Sequence, residues 1–191
     1  TGGNRGLGRG LLELLCQEHN VIFSVRSESK GEETLKSLNG CNAKYVVMNV
    51  DDADSVNTAA EEIKKIVNTV YILFNNAGID LPYATTVVDT EISDWERIIN
   101  INLKGVFLGV HHALPIMMAQ NSGVIISTAS RAGLGATKGE AAYCASKGGV
   151  VSLTRQLAID YAQYNIRVNS ICPGGIDRPT IDRSEFLEQS V

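Results

Sequence analysis

Short apolar runs alternate with segments of helical period along this chain, and that alternation leaves few folds open. Leu7, Leu11, Leu14 and Leu15 recur at helical spacing and predict a helix over 6–19. Strands follow at 21–25 (VIFSV), 44–50 (KYVVMNV), 70–75 (VYILFN), 124–128 and 166–171 (IRVNSI). Between them lie helices over 29–38, 54–68, 93–120 and 140–164. Ser29 with Glu32, and Ser93 with Glu96, match the capping box that opens a helix. Pro115 is expected to end or kink the helix in which it falls. Strands that alternate with helices imply a parallel sheet covered on both faces, an α/β doubly wound sheet of Rossmann type. The working residues of such a sheet lie at the carboxyl ends of its strands.

Composition excludes several classes of function. The 191 residues suit one domain, and 44% hydrophobic with 20% charged residues is ordinary for a soluble protein. Lys and Arg total 17 against 21 Asp and Glu, and no basic stretch tracks a phosphate backbone, so no nucleic-acid partner is expected. No apolar run reaches the length of a membrane span, and TGGNRGLGRG does not resemble a signal peptide. No metal site is expected. Cys16, Cys41, Cys144 and Cys172 lack zinc or redox spacing and read as free thiols in a reducing compartment, which points to the cytoplasm. Cys144 adjoins Tyr143 but projects about 100° away on a helix, so it has no expected chemical role.

Two local patterns bear chemistry. The chain opens Thr1-Gly2-Gly3-Asn4-Arg5-Gly6-Leu7-Gly8 immediately before a helix. Glycines there permit a tight turn and let backbone amides approach a pyrophosphate at the helix N-terminus. The spacing is T-G-x-x-x-G-x-G, not the commoner G-x-G-x-x-G. Far downstream, Tyr143 and Lys147 are separated by one helical turn, so phenol and ammonium share a face. A cation beside a tyrosine favours the phenolate and makes it usable as a base near neutral pH. Ser130 lies upstream of the pair at the end of a strand.

Together with Asn75-Asn76-Ala77-Gly78, Asn102 in INLKG, and Pro173-Gly174, these patterns resemble the short-chain dehydrogenase/reductase family in order and spacing. The resemblance implies that Gly2, Asn4, Arg5, Gly6 and Leu7 hold cofactor phosphates. It places Asn76, Ala77 and Gly78 along the ribose and nicotinamide, and Pro173, Gly174 and Ile176 near the nicotinamide end. Asn49 and Val50 stand where the family has Asp-Val beside the adenine, and Asn49 keeps a carbonyl acceptor for the adenine amino group. Members that prefer NAD place an acid at the end of the second strand. Here Val25 occupies that place, Arg26 follows it, and Arg5 adds a second cation. Two guanidiniums without a carboxylate suit a 2′-phosphate, so NADP(H) is the expected cofactor.

The resemblance also assigns roles in catalysis. Tyr143 acts as general acid in reduction and base in oxidation. Lys147 lowers its pKa and binds the nicotinamide ribose. Ser130 bonds the substrate oxygen, and Asn102 holds a water that leads from Lys147 to solvent. Arg178 occupies the place of a frequent family threonine, with Thr180 two residues later; it either reaches a pyrophosphate oxygen or faces solvent. Arg131 either reads an acidic substrate or is a solvated charge.

The reaction implied is hydride transfer between nicotinamide and a small carbonyl or secondary alcohol. The first half resembles carbonyl reductases. The second resembles 3-oxoacyl-[acyl-carrier-protein] reductases and sugar or alcohol dehydrogenases, and 3-oxoacyl reduction is the alternative activity. A non-catalytic nucleotide-binding sensor or scaffold is the alternative of another class, although Asn102, Ser130, Tyr143 and Lys147 together give it no use. Family members associate through the helices at 93–120 and 140–164, so a homodimer or homotetramer is expected. In the family's strand order, 3-2-1-4-5-6, the first strand precedes the glycine loop. That strand would lie between those at 21–25 and 70–75, so residues 1–191 are expected to be a single-domain fragment that lacks it and a C-terminal segment.

Overall fold

Parallel strands and their crossover helices account for most of the backbone in the structure, a computed structural model that describes residues 1–176. In chain order the elements are α1 (Gly6–Leu15), β1 (Val21–Val25), α2 (Glu28–Lys36), β2 (Ala43–Val47), α3 (Ala53–Ile66) and β3 (Ile72–Asn75). They continue with α4 (Ile92–Ile99), a π-helical turn (Asn100–Lys104), α5 (Gly105–Ala119), β4 (Gly123–Thr128), α6 (Ala141–Tyr161) and β5 (Ile166–Ile171). A 3₁₀ turn, Arg131–Gly133, links β4 to α6, and another, Ala162–Tyr164, follows α6.

All strand pairs are parallel, as the alternation requires. They form two groups, β1-β2 and β3-β4-β5. Val21 to Val25 align with Ala43 to Val47, Ile72 to Asn75 with Val124 to Ser127, and Gly123 to Thr128 with Ile166 to Ile171. Among the described residues β1 pairs only with β2 and β3 only with β4, so their facing edges lack a strand between them. Residues 1–3 bridge the two groups instead. The Thr1 ammonium donates to the Phe74 carbonyl at 2.6 Å, and the Gly3 amide donates to the Ser24 carbonyl at 3.3 Å.

Packing follows the same division. The largest apolar cluster joins α5, β4, α6 and β5 through Val110, Met117, Ile125, Val150 and Val168. A second joins β2 and α3 to Leu108 of α5, and a third joins Leu12 and Cys16 of α1 to Phe23 and Val25 of β1. Helix α5 therefore contributes to clusters on both sides of the divide, with Leu108 facing one and Val106 and Val110 the other.

Several local expectations are corrected. Neither capping box forms. The N-caps are Ser27 and Glu91, without side-chain cap bonds, so Ser29 and Ser93 fall inside the first turns. Helix α3 has the cap that the sequence reading missed: Asp52 accepts from the amides of Asp54 at 2.9 Å and Ser55 at 3.3 Å. The helix expected over 93–120 is two helices joined by the π turn. The extra residue shifts the helical phase, and the apolar runs on either side, IINI and VFLGV, hide that shift in the sequence. Pro115 neither ends nor breaks α5. Both Pro115 and His111, whose carbonyl it deprives of a donor, are exposed, so the missing bond falls on the solvent side of the helix.

The free-thiol expectation fails for two cysteines. Cys16 and Cys41 form a disulfide, with Cα atoms 4.9 Å apart. The Asn42 amide donates to the Cys16 carbonyl at 3.1 Å, and this contact brings the lead-in to β2 against the end of α1. A tertiary contact makes the pair, which is why linear spacing did not show it. Cys144 and Cys172 are free. The cysteines thus no longer argue for a reducing compartment.

Candidate active site

The glycine loop is built by close packing. Gly2 and Gly6 have positive φ, +67° and +53°, which L side chains rarely adopt. A Cβ on Gly8 would stand 2.1 Å from the Gly2 carbonyl oxygen and 2.6 Å from Asn76 Nδ2. No side chain thicker than hydrogen fits at that crossing of α1 over the loop. Arg5 is the N-cap of α1 and supplies no side-chain cap bond, which leaves the helix's first amides open to an anion. Arg5 and Arg26 are exposed, and among the described residues neither forms an ion pair. Asn4 is partly buried, and Leu7 is exposed on the first turn of α1.

The loop is laced to the segment after β3. Thr1 Oγ1 accepts from the amides of Asn76 at 3.1 Å and Ala77 at 3.0 Å. Asn76 Nδ2 donates to the carbonyls of Thr1 at 3.4 Å and Gly2 at 3.5 Å, and Asn76 Oδ1 accepts from Thr128 at 3.4 Å. One asparagine therefore binds both the glycine loop and the end of β4. Asn49 is exposed, with its amide donating to Ser55 Oγ at 2.9 Å, while Val50 packs against Gly105 at the start of α5.

A second group of side chains converges on Gly78. Built on that glycine, a Cβ would lie 3.3 Å from both Asn102 Oδ1 and Lys147 Nζ. Lys147 is buried, its ammonium donates to the Thr128 carbonyl at 2.7 Å, and it lies 5.7 Å from the centre of the Tyr143 ring. Burial brings the Lys147 ammonium down from 10.5 to about 8, against the charge of Asp80, which acts to raise it. Asn102 is fully buried in the π turn, and its amide brackets Ile79. Oδ1 accepts from the Ile79 amide at 2.8 Å, and Nδ2 donates to the Ile79 carbonyl at 2.8 Å. Ser130 heads the 3₁₀ turn, where its Oγ accepts from the Ala132 amide at 3.2 Å and keeps its own proton to donate. That turn packs on α6 so tightly that a Cβ on Gly133 would be 2.6 Å from the Lys147 carbonyl carbon.

A shallow cleft opens beside Tyr143, lined by Asp80, Leu81, Thr85, Ile98 and Glu140 among others. Its wall is a clasp of two loops: the Thr85 amide donates to the Gly139 carbonyl at 2.9 Å. Burial, and then the charge of Asp80, push the Glu140 carboxyl upward. Arg131 is exposed beside Ser130, and its amide donates to the Pro173 carbonyl at 2.9 Å. Gly174 is exposed and Ile176 partly buried; Arg178 and Thr180 lie outside the described residues.

The structure thus brings Gly78, Asn102, Tyr143 and Lys147 together, with the turn of Ser130 against them. Sequence reading missed three participants: Thr1 as acceptor for the 76–77 amides, Thr128 as the acceptor for Lys147, and Ser146, which bonds Asn102 at 3.1 Å. Adjacency to recognised motifs was their only signal. Among the described residues no group of three or more His, Cys, Asp or Glu could hold a metal, and no helix is long and apolar enough to cross a membrane.

Comparison with known proteins agrees with this geometry. The uncharacterized oxidoreductase YxbG of Bacillus subtilis (strain 168) is 39% identical over 186 residues, which cover 96% of this chain and 67% of that protein. The 3-oxoacyl-[acyl-carrier-protein] reductase FabG of Thermotoga maritima is 33% identical over 96% of this chain and 75% of its own length. This chain spans about two thirds to three quarters of these relatives. The crystal structure of a gluconate 5-dehydrogenase from Burkholderia cenocepacia J2315 in complex with NADP and tartrate superposes with a TM-score of 0.85. It is 30% identical, over 93% of this chain and 70% of that one. The profile of the short chain dehydrogenase family matches residues 1–189, and the chain belongs to that family of oxidoreductases.

Proposed function

We propose that this protein transfers a hydride between NADP(H) and a small carbonyl or secondary alcohol, with Tyr143 moving the accompanying proton. The observation that carries the reading is the buried Lys147 ammonium. A buried charge is costly, and this one donates to the Thr128 carbonyl and stands over the Tyr143 ring. Its charge favours the phenolate of Tyr143, which then takes the hydroxyl proton in oxidation or returns it to the carbonyl oxygen in reduction. Ser130 donates its remaining proton to the same substrate oxygen. Asn102 fixes the backbone at Ile79 and thereby the wall against Gly78.

The site fits a dinucleotide. Positive-φ glycines, the Gly8 crossing and the uncapped start of α1 form a cradle in which Gly2, Asn4, Arg5, Gly6 and Leu7 hold the pyrophosphate. Asn49 and Val50 would flank the adenine, Asn76 to Gly78 and Lys147 the riboses, and Pro173, Gly174 and Ile176 the carboxamide. When bound, the nicotinamide supplies or accepts the hydride. Arg5 and Arg26, exposed and without an ion pair among the described residues, support NADP(H) over NAD(H), and the NADP bound to the gluconate 5-dehydrogenase supports the same choice. Phe107 and Ile159, exposed on α5 and α6, support homo-oligomer formation through those helices.

A second reading is 3-oxoacyl thioester reduction, favoured by Arg131, an exposed cation beside Ser130, and by the Thermotoga relative. NADPH oxidation is followed with simple ketones and with acetoacetyl thioesters, in native protein and Tyr143→Phe. Loss of turnover in the variant with NADPH binding retained supports Tyr143. Turnover at a tenth of the native rate or more refutes it. A preference for thioesters that Arg131→Ala removes would establish the second reading.

A further inference from the structure

The bond directions around Asn102 fix the role of a residue that the reaction itself does not touch. Because Oδ1 accepts from the Ile79 amide and one Nδ2 proton goes to the Ile79 carbonyl, the Asn102 amide cannot be turned over without losing both bonds. Its second Nδ2 proton therefore points at Ser146 Oγ, 3.1 Å away. That oxygen must accept, so the Ser146 hydroxyl has its own proton to give, and the Tyr143 carbonyl stands 2.8 Å away to receive it. Ser146 and Asn102 are both fully buried, so no water replaces either bond. The π turn makes the approach possible by placing Asn102 toward α6 between α4 and α5.

We propose that Ser146 is a positioning residue that locks the first turn of α6, and with it Tyr143, onto Asn102 and the Ile79 segment. Three separate pieces of chain are thus held by one directional sequence, from Ile79 through Asn102 and Ser146 to the Tyr143 backbone. Lys147, on the residue after Ser146, is placed by the same contact. Deletion of the hydroxyl orphans one buried Asn102 donor and frees the Tyr143 carbonyl from its second bond, while the volume lost is a single oxygen. The fold has little reason to fail, but the phenol loses its fixed height over the substrate oxygen.

This inference rests on the proposed role of Tyr143, and its test separates the two. Native protein, Tyr143→Phe, Ser146→Ala and Ser146→Thr are compared by kcat and by KM for NADPH. Turnover in Tyr143→Phe at a tenth of the native rate or more would refute the assignment of the tyrosine. With that variant inactive, Ser146→Ala should lose roughly tenfold in kcat while KM for NADPH stays within about twofold, the size of one lost positioning hydrogen bond. Ser146→Thr, which keeps the oxygen and adopts the same back-bonded rotamer, should recover most of the loss. A Ser146→Ala protein with native kcat would overturn the proposal, as would a Thr variant as slow as the Ala variant. Should the Thr variant not fold, Asn102→Ala with Ser146→Ala decides. If Asn102 acts on Tyr143 through Ser146, the double variant is no slower than Asn102→Ala alone; multiplied losses refute the link.

Discussion

The half of the molecule around the glycine loop and the half around Tyr143 solve opposite problems. At the loop, backbone amides at the start of α1 lack a side-chain cap, and the cations Arg5 and Arg26 stand exposed, without ion pairs among the described residues. At Tyr143 the polar groups are buried and bonded to one another: Lys147 to Thr128, Asn102 to Ile79 and Ser146, Ser146 to the tyrosine backbone. Their packing differs in the same sense. The β3-β4-β5 half shares the largest apolar cluster, while β1 and β2 rest on two smaller ones and a disulfide. An anion arriving from water is met by open donors and long side chains. A proton transfer needs groups held within fractions of an ångström, which burial provides.

The largest effect should come from the buried half. Tyr143→Phe is expected to lower kcat by about 10³-fold, the upper range for a positioned acid or base, with NADPH binding measured by fluorescence unchanged. Gly8→Ala is the matching break at the loop. The added Cβ meets backbone at 2.1 Å, so the loop must move, and NADPH affinity should fall at least tenfold, on the order of 1.4 kcal/mol. If Gly8→Ala leaves affinity intact, the loop is not the phosphate site.

Lys147 offers a test by pH. Its folded value is about 8 against 10.5 ordinarily, so between these values the unfolded chain binds more protons. The cost of the buried ammonium is present in full below pH 8 and is relieved as pH rises toward 10.5. Relative to Lys147→Met, the native protein should therefore gain up to about 3 kcal/mol of stability across that window. Denaturant unfolding of both proteins at pH 7.5 and 10 measures the difference, and a gap that does not change with pH would mean the ammonium is not desolvated.

How much of this was legible in the sequence depended on range. Tyr143 and Lys147 declared themselves because i and i+4 share a helix face whatever the tertiary structure. The strands at 21–25 and 166–171 did so because apolar runs bounded by turns have few other uses. What escaped was set by contacts between distant segments. The Cys16–Cys41 pair depends on α1 meeting the entrance to β2. The π turn adds a residue between the apolar runs IINI and VFLGV, where a shift of helical phase does not show. Thr1, Thr128 and Ser146 are common residues whose partners lie 19 to 76 positions away. Helix starts failed more locally, because Ser29 and Ser93 match a capping pattern two residues past the real N-caps, Ser27 and Glu91.

Arg26→Ala should have a smaller effect than these, and one confined to the loop half. The guanidinium is exposed, so its contribution is screened, and NADP⁺ affinity should fall about threefold at low salt with NAD⁺ affinity unchanged. Equal loss for both cofactors would assign Arg26 to the shared pyrophosphate instead.

The smallest change probes whether the halves are mechanically separate. Asp52→Ala removes the two cap bonds at the start of α3, worth about 1 kcal/mol. Helix α3 packs with β2 against Leu108, and Leu108 lies on the same helix as Val106 and Val110 of the other cluster. If α5 transmits stability between them, the variant should melt in one transition, lowered by about 2–4 °C, with tryptophan fluorescence of Trp95 and far-ultraviolet circular dichroism moving together. Trp95 lies in α4, which packs on the Tyr143 helix α6, so it reports the half that the substitution does not touch. Coincident shifts would make α5 the shared beam of both sites. A Trp95 transition left in place while the circular dichroism falls earlier would show that the glycine-loop half unfolds on its own, and that the bonds from Thr1 and Gly2 to the segment after β3 do not couple the two.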